Sequence, residues 1–225
     1  MPANWFHNFA KTVLGNVTRA LVGPVDIYGL ENVPPSGPII LASNHQSYLD
    51  PIVISWKFPR PMRAMAKKQL FKIPIFGYLI SVIGAYPVDQ EGSPRAGIRS
   101  ALAVLDEGYP FLIFVEGHRT RGPLGQVQPG AALIARKSGV PVVPVLVTGA
   151  HCSLSPDHPG MHRGHITVTY GQPMYFDKDE KRPDLAADAA RILDAIAALR
   201  DVTPNAAPEI RAEDLPPERQ SSAAR

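Results

Sequence analysis

The segment 44–50 (NHQSYLD) combines a histidine and a carboxylate at a spacing that suits acid–base chemistry. It follows directly on the apolar run 39–42, where a strand would give way to a helix. At such a turn the Asp50 carboxylate can orient the His45 imidazole, which leaves the other ring nitrogen free to take a proton from a hydroxyl. One alternative stays open, because Asp50 precedes Pro51 and could serve only as the N-terminal cap of a helix.

A second polar segment, 114–120 (FVEGHRT), also ends an apolar run. Gly117 allows the backbone to approach a ligand closely, and Arg119 offers a planar fork of donors that matches a phosphate or carboxylate. Glu116 would position Arg119 or accept a hydrogen bond from a substrate hydroxyl. The segment therefore indicates an anion site, with a surface salt bridge as the alternative.

Two adjacent lysines, Lys67 and Lys68, stand shortly before an uncharged stretch at 73–88. They could contact a lipid phosphate at the edge of a membrane, and a solvated lysine pair is the alternative. The stretch has 16 residues, and prolines and glycines interrupt it. We therefore expect a buried or interfacial segment and no membrane-spanning helix.

The histidine-rich segment 151–165 does not favour a metal site. His158 and His162 have ligand-like spacing, but the segment is rich in proline and glycine and its only carboxylate is Asp157.

Cys152 is the single cysteine, which excludes an internal disulfide and suits an intracellular protein. The absence of nucleophile-elbow, Walker and dinucleotide-binding motifs disfavours serine hydrolases, P-loop enzymes and Rossmann dehydrogenases.

Positive charge is concentrated in the first part of the chain. The net charge is +3, yet residues 1–88 hold eight basic and three acidic side chains, whereas residues 177–225 hold eight and eleven. This gradient favours a phosphate-bearing partner, and by itself does not distinguish nucleic acid from an anionic membrane.

Apolar runs alternate with helical patterns along most of the 225 residues. We predict strands at 25–28, 38–42, 62–66, 110–115, 142–147 and 166–170. We predict helices at 5–21, 94–107, 129–137 and 184–200. The alternation predicts a single α/β domain with a mainly parallel sheet flanked by helices, whose functional loops follow the strand ends.

Three regions follow from this organisation. Residues 1–22 form an amphipathic helix that lies in a membrane interface or covers the domain core, and we assign it to the interface. Residues 23–202 form the α/β domain that holds the candidate site residues. Residues 203–225 carry four prolines and many charges, and are expected to be disordered.

Four blocks in this order resemble the 1-acylglycerol-3-phosphate (lysophosphatidic acid) acyltransferase family. Segment 44–50 is similar to the family's His-x4-Asp motif, and segment 114–120 to its Phe-Pro-Glu-Gly-Thr-Arg-Ser block. Segment 84–90 (GAYPVDQ) resembles a strand that closes with arginine in the family, and segment 140–145 (VPVVPV) resembles its proline-punctuated strand. The departures from the family pattern are Gln90, Val115, His118 and Thr120.

The resemblance implies transfer of a fatty acyl group from an acyl thioester to the free hydroxyl of a lysophospholipid, 1-acylglycerol-3-phosphate, in phospholipid biosynthesis. It implies that residues 23–202 are an acyltransferase domain, with His45 as the base and Asp50 as its partner. It also implies no metal and no cofactor, with acyl-coenzyme A or acyl carrier protein as co-substrate. The predicted substrate-binding residues are Glu116, Gly117, Arg119, Lys67 and Lys68.

The expected partners are a membrane surface and the two lipid substrates, without nucleic acid. The expected location is the cytoplasmic side of the cell membrane, as a peripheral or monotopic protein. Three alternatives remain: an acyltransferase for another lysolipid, a non-catalytic lipid-phosphate-binding module, and a metal-dependent hydrolase. The hydrolase would use His45, Asp50, Glu116 and His118.

Overall fold

A seven-stranded sheet runs through the middle of the protein, seen here in a computed structural model. The structure describes residues 4–74, 76–82, 84–88, 94–120, 124–125, 127–156, 158 and 160–208. Within them the strands are β1 (Val25–Tyr28), β2 (Ile40–Ser43), β3 (Arg63–Lys67), β4 (Ala85–Val88), β5 (Phe111–Phe114), β6 (Val142–Thr148) and β7 (Ile166–Tyr170). The α-helices are α1 (Asn4–Val22), α2 (Asp50–Trp56), α3 (Phe76–Val82), α4 (Pro94–Asp106), α5 (Gly130–Ser138) and α6 (Leu185–Val202).

The strand order across the sheet is β1-β7-β6-β2-β5-β3-β4. Neighbouring strands pair in parallel, except for the antiparallel pair β6 and β7. The predicted α/β fold with a mainly parallel sheet is therefore confirmed. β2 and β5 are adjacent, with Ser43 opposite Phe114 in the register. The segments that follow these two strands, 44–50 and 114–120, thus leave the sheet side by side.

The central strands are apolar because helices cover both faces of the sheet. Every residue of β2 and β6 is buried. Side chains of a strand alternate between faces, so Leu41 joins the core beneath α1 and α2, while Ile40 and Ala42 join the core beneath α4, α5 and α6.

Periodicity located the long elements but missed the short helices. Each predicted strand and helix lies within two residues of the observed bounds. α2 and α3 have seven residues each, too few for a helical pattern to repeat clearly. The uncharged stretch 73–88 divides at Gly84, whose φ of 93° favours glycine, into α3 and the strand β4 that the family resemblance implied.

The C-terminal segment predicted to be disordered lies mostly outside the described residues, which end at 208. Before that point, the Ala207 backbone N–H donates to the Thr148 hydroxyl at 3.0 Å, and the Arg200 guanidinium donates to the Ala207 carbonyl at 2.6 Å. The chain that follows α6 therefore returns to the end of β6, and disorder of the remainder stays a prediction.

The N-terminal helix α1 packs against α2. Gly15 lies directly against the Trp56 ring, and the buried Lys11 ammonium donates to the Phe58 carbonyl just beyond α2. Burial lowers the pKa of Lys11.

The opposite face of α1 exposes Phe9, Val13, Val17 and Leu21, which repeat at every fourth residue. None of the helices in the described residues is long and apolar enough to cross a membrane.

We predict that Gly15→Ala destabilises the protein by about 1–3 kcal/mol, because the added Cβ would overlap the Trp56 ring and push α1 away from α2. Urea unfolding measures the effect. Gly130→Ala in α5 is the matched control, since within the described structure nothing beyond its own helix backbone and chain neighbours lies within 4 Å of the added Cβ. The control should be neutral or gain up to about 1 kcal/mol. Equal stability of Gly15→Ala and the parent would contradict this close packing.

Candidate active site

The predicted pair of His45 and Asp50 is formed, with 2.8 Å between His45 Nδ1 and Asp50 Oδ2. The same carboxylate oxygen accepts the backbone N–H groups of Gln46 at 2.7 Å and Ser47 at 2.8 Å. Asp50 is completely buried. Because Nδ1 donates to the carboxylate, Nε2 carries the lone pair and is the proton acceptor.

The alternative that Asp50 serves as a helix cap does not match this geometry. Asp50 is the first residue of α2, and Leu49 occupies the cap position. The Asp50 side chain turns back to the N–H groups that precede the helix, so it orients the imidazole and closes the turn.

The His45 ring lies against β5. It stacks on the Phe114 ring with 3.8 Å between centroids and 13° between planes. The main chain of His45 is also held, because its N–H donates to Glu116 Oε2 at 3.1 Å and its carbonyl accepts the Thr120 N–H at 2.8 Å. The segment after β5 therefore supports both the ring and the backbone of His45.

Two residues that the sequence analysis did not assign a role fix the other side of this turn. The Asn44 amide donates to the Val147 carbonyl and accepts the Val147 N–H, both at 2.8 Å, which continues the pairing of β2 with β6. The Ser47 hydroxyl donates to the Ser153 carbonyl at 2.6 Å. The feature of the sequence that could have identified Asn44 and Ser47 is an amide and a hydroxyl side chain at the point where a buried strand ends.

A cavity of about 250 Å³ opens beside the His45 ring. His45, Gly117, His118 and Arg119 line its polar end. The Arg119 guanidinium lies over the Tyr48 ring at 3.6 Å, so a flat cation stands near the imidazole. The apolar part of the wall includes Ala64, Ala66, Leu70, Ile80 and Ala85.

The structure brings some of the predicted substrate-binding residues together and separates others. Gly117, with φ of 72°, and Arg119 line the cavity with His45. Glu116 is completely buried, and its Oε1 accepts the Gly125 N–H at 3.0 Å while Oε2 accepts that of His45. Glu116 therefore faces backbone donors. Its contact with substrate stays a prediction.

Neither lysine is among the described residues that line the cavity. Lys67 is the last residue of β3, and its side chain is outside the described part of the structure. Lys68 is exposed and begins a short 3-10 helix, Lys68–Lys72. Gln90, where the family carries arginine, also lies outside the described residues.

The histidine-rich segment shows contacts between rings. His158 and His162 meet edge to face with 5.8 Å between centroids. Among the residues that the structure describes, no cluster of three or more His, Cys, Asp or Glu side chains could hold a metal ion. The described residues therefore supply no ligand set for the alternative of a metal-dependent hydrolase.

Comparison with known proteins shows similarity to one family of enzymes. The sequence model of the Acyltransferase family matches residues 24–148, which is more than half of the 225-residue chain. A chloroplastic 1-acyl-sn-glycerol-3-phosphate acyltransferase of Brassica napus, BAT2, is 32% identical over 83% of this chain and 54% of its own. A 1-acyl-sn-glycerol-3-phosphate acyltransferase of Bacillus subtilis (strain 168) is 29% identical over 71% of this chain and 78% of its own.

The fold is also found in a solved structure. The crystal structure of PlsC, the 1-acyl-sn-glycerophosphate (LPA) acyltransferase of Thermotoga maritima, superposes with a TM-score of 0.71 at 22% identity. It covers 90% of this chain and 81% of that one. The chain spans about half the length of the plant and algal relatives it matches, at 54%, 50% and 56%.

We predict that Asp50→Asn destabilises the protein more than His45→Ala does. Asp50 Oδ1 is buried without a hydrogen-bond partner in the described structure, so an amide there would bury an unpaired donor, at a cost of about 1–3 kcal/mol. Removal of the His45 ring leaves the carboxylate its two backbone donors, so His45→Ala should stay within about 1 kcal/mol of the parent. Chemical denaturation compares the two, and the reverse order would contradict the central role of the carboxylate in the turn.

Proposed function

Because the chain belongs to the Acyltransferase family, we propose that it transfers a fatty acyl group from an acyl thioester to the free hydroxyl of 1-acylglycerol-3-phosphate, a step of phospholipid biosynthesis. One observation carries the proposal. The oriented imidazole of His45 and the guanidinium of Arg119 line the same cavity, which continues into an apolar wall. The names of the relatives agree with this reaction. No cofactor is needed, and acyl-coenzyme A or acyl carrier protein serves as co-substrate.

In the proposed reaction, His45 Nε2 removes the proton of the acceptor hydroxyl as its oxygen attacks the thioester carbonyl. The resulting imidazolium donates to Asp50 Oδ2, which stabilises its charge. When the tetrahedral intermediate collapses, the C–S bond breaks and the proton passes from Nε2 to the departing thiolate. The acyl group moves directly between substrates, so no covalent acyl-enzyme forms.

Arg119 is proposed to bind the acceptor phosphate. Stacking on Tyr48 covers one face of the guanidinium and leaves its N–H edges for the phosphate oxygens. Gly117 presents no side chain to the cavity and allows the substrate to approach the backbone. Lys67 and Lys68 are proposed to contact the lipid phosphate where the protein meets the membrane.

The acyl chain is proposed to lie along the apolar wall. Three of its residues are alanines, from β3 and β4, whose small side chains leave room for a chain between the sheet and the helices. Leu70 of the 3-10 helix and Ile80 of α3 close the wall. Burial of methylene groups there would stabilise binding by about 0.8 kcal/mol each.

Acyl transfer from a long-chain acyl-coenzyme A to lysophosphatidic acid tests the proposal in three proteins. His45→Ala should lower kcat by about 10²- to 10⁴-fold with little change in acceptor binding, because the ring supplies proton transfer. Arg119→Ala should raise the KM for the phosphorylated acceptor about tenfold or more, because a charge-assisted contact is lost. Glu107→Gln, on an exposed residue after α4, is the control.

Equal rates in the parent, His45→Ala and Arg119→Ala would refute the mechanism. Binding of lysophosphatidic acid without turnover in any protein would indicate the lipid-phosphate-binding module. Other lysophospholipids belong in the same assay, because His118 lines the cavity where the resembled family carries threonine. A higher kcat/KM for one of them would identify a different acceptor.

We propose that the protein binds the cytoplasmic face of the cell membrane peripherally through α1. Phe9, Val13, Val17 and Leu21 form an exposed apolar stripe on this helix. Ile73 and Tyr78 are also exposed near α3, which contacts α1. Exposed basic residues supply attraction to anionic lipid, and they are Arg19, Lys68 and Lys72.

Co-sedimentation with vesicles that contain anionic phospholipid tests this surface. The double variant Val13→Glu and Val17→Glu should bind about tenfold less tightly or worse, because it places two charges within the stripe. The matched control, Ala190→Glu with Ala197→Glu, adds the same charge to exposed positions of α6, on the other face of the sheet. Equal loss in both variants would indicate general repulsion and contradict a specific surface.

A further inference from the structure

We propose that Glu116 is a positioning residue that holds the main chain of His45, and that it does not contact the acceptor. This inference rests on the proposed function and deepens it. It gives the carboxylate of the 114–120 segment a task different from that of Arg119, three residues further on.

The geometry carries the proposal from both sides of the His45 residue. Its N–H donates to Glu116 Oε2 at 3.1 Å. Its carbonyl accepts the Thr120 N–H at 2.8 Å and the Thr120 hydroxyl at 3.3 Å. Both polar groups of the main chain are therefore bound by one short segment, whose two ends flank Arg119.

The Glu116 carboxylate is committed to the backbone. Oε2 accepts from His45 and Oε1 from Gly125, and the side chain is completely buried. The cavity is lined by the next residues, Gly117, His118 and Arg119, and not by Glu116. A carboxylate that faced the cavity would repel a phosphate directly, whereas both oxygens of Glu116 face backbone N–H donors instead.

The hydrogen bonds that Glu116 and Thr120 make with the His45 main chain, here called the clamp, lie where the strand pairing that supports this segment ends. The ladder between β2 and β5 ends with the Val115 N–H bonded to the Ser43 carbonyl at 2.9 Å. Two residues later His45 has left the strand, and a carboxylate and a hydroxyl residue take the place of the missing strand partner. Asp50 then sets the rotation of the His45 imidazole, whereas Glu116 and Thr120 set the position of the His45 Cα atom.

This division of tasks predicts a specific kinetic pattern. An error of about 1 Å in the position of a reacting group can cost about 10²-fold in rate, whereas acceptor affinity depends on contacts that remain. Glu116→Gln keeps the size of the side chain but turns one acceptor oxygen into an NH₂ group that faces a backbone N–H. We expect kcat to fall about 10- to 100-fold, with the KM for lysophosphatidic acid within about twofold of the parent.

The experiment measures kcat and KM of Glu116→Gln with lysophosphatidic acid and acyl-coenzyme A, with Glu107→Gln as the same chemical change at an exposed site. Added to His45→Ala, Glu116→Gln should cause no further loss of rate, because it acts through that imidazole. A tenfold rise in KM with kcat preserved would overturn the proposal in favour of substrate contact. Unchanged kcat and KM would overturn it as well.

Two further measurements keep the outcome clear. If Glu116→Gln does not fold, Thr120→Val decides, since it removes only the hydroxyl bond and should lower kcat severalfold at constant KM. Amide hydrogen exchange at His45 should accelerate at least about tenfold in Glu116→Gln, while exchange in β6 is unchanged. If the parent transfers no acyl group, the proposed function fails, whereas unchanged exchange at His45 refutes the clamp itself.

Discussion

The parallel pairing of β2 with β5 is the constraint on which the rest of the site depends. Its register sets Ser43 opposite Phe114, so the two polar segments leave the sheet at the same level. The His45 ring can then stack on Phe114, and the residues after β5 can reach its main chain. A slip by two residues would move the segments about 6.6 Å apart, beyond hydrogen-bond reach. A slip by one would send every side chain of the strand to the other face.

Two fully buried carboxylates, Asp50 and Glu116, stand on either side of one histidine, and backbone N–H groups accompany both. A buried charge is tolerated only where donors replace the water it has lost. Here the replacement donors are backbone N–H groups of segment 44–50 and of Gly125. These hydrogen bonds offset the cost of burying each carboxylate, and they also close the turn that contains His45. The same contacts therefore stabilise the local fold and position the proposed base.

The sequence predicted the parts of this arrangement that are local. The apolar runs gave the strands because a covered parallel sheet requires them, and the spacing of His45 and Asp50 gave a contact within one turn. The sequence did not predict the direction of Glu116 or the pairing of Asn44 with Val147, 103 residues away. Such contacts depend on which strands become neighbours and in what register. The family resemblance supplied β4, which was too short and too interrupted to read from periodicity.

The helices on one face of the sheet connect the proposed membrane surface to the cavity. α1 carries the exposed apolar stripe and packs through Gly15 on Trp56, the last residue of α2, while Asp50 is the first. The 3-10 helix and α3 contribute Leu70 and Ile80 to the cavity wall. They also lie next to exposed Ile73 and carry exposed Tyr78. Elements that would face lipid therefore also form the walls of the proposed acyl site, so a chain bound there would be enclosed by the elements that the proposed orientation places closest to the bilayer.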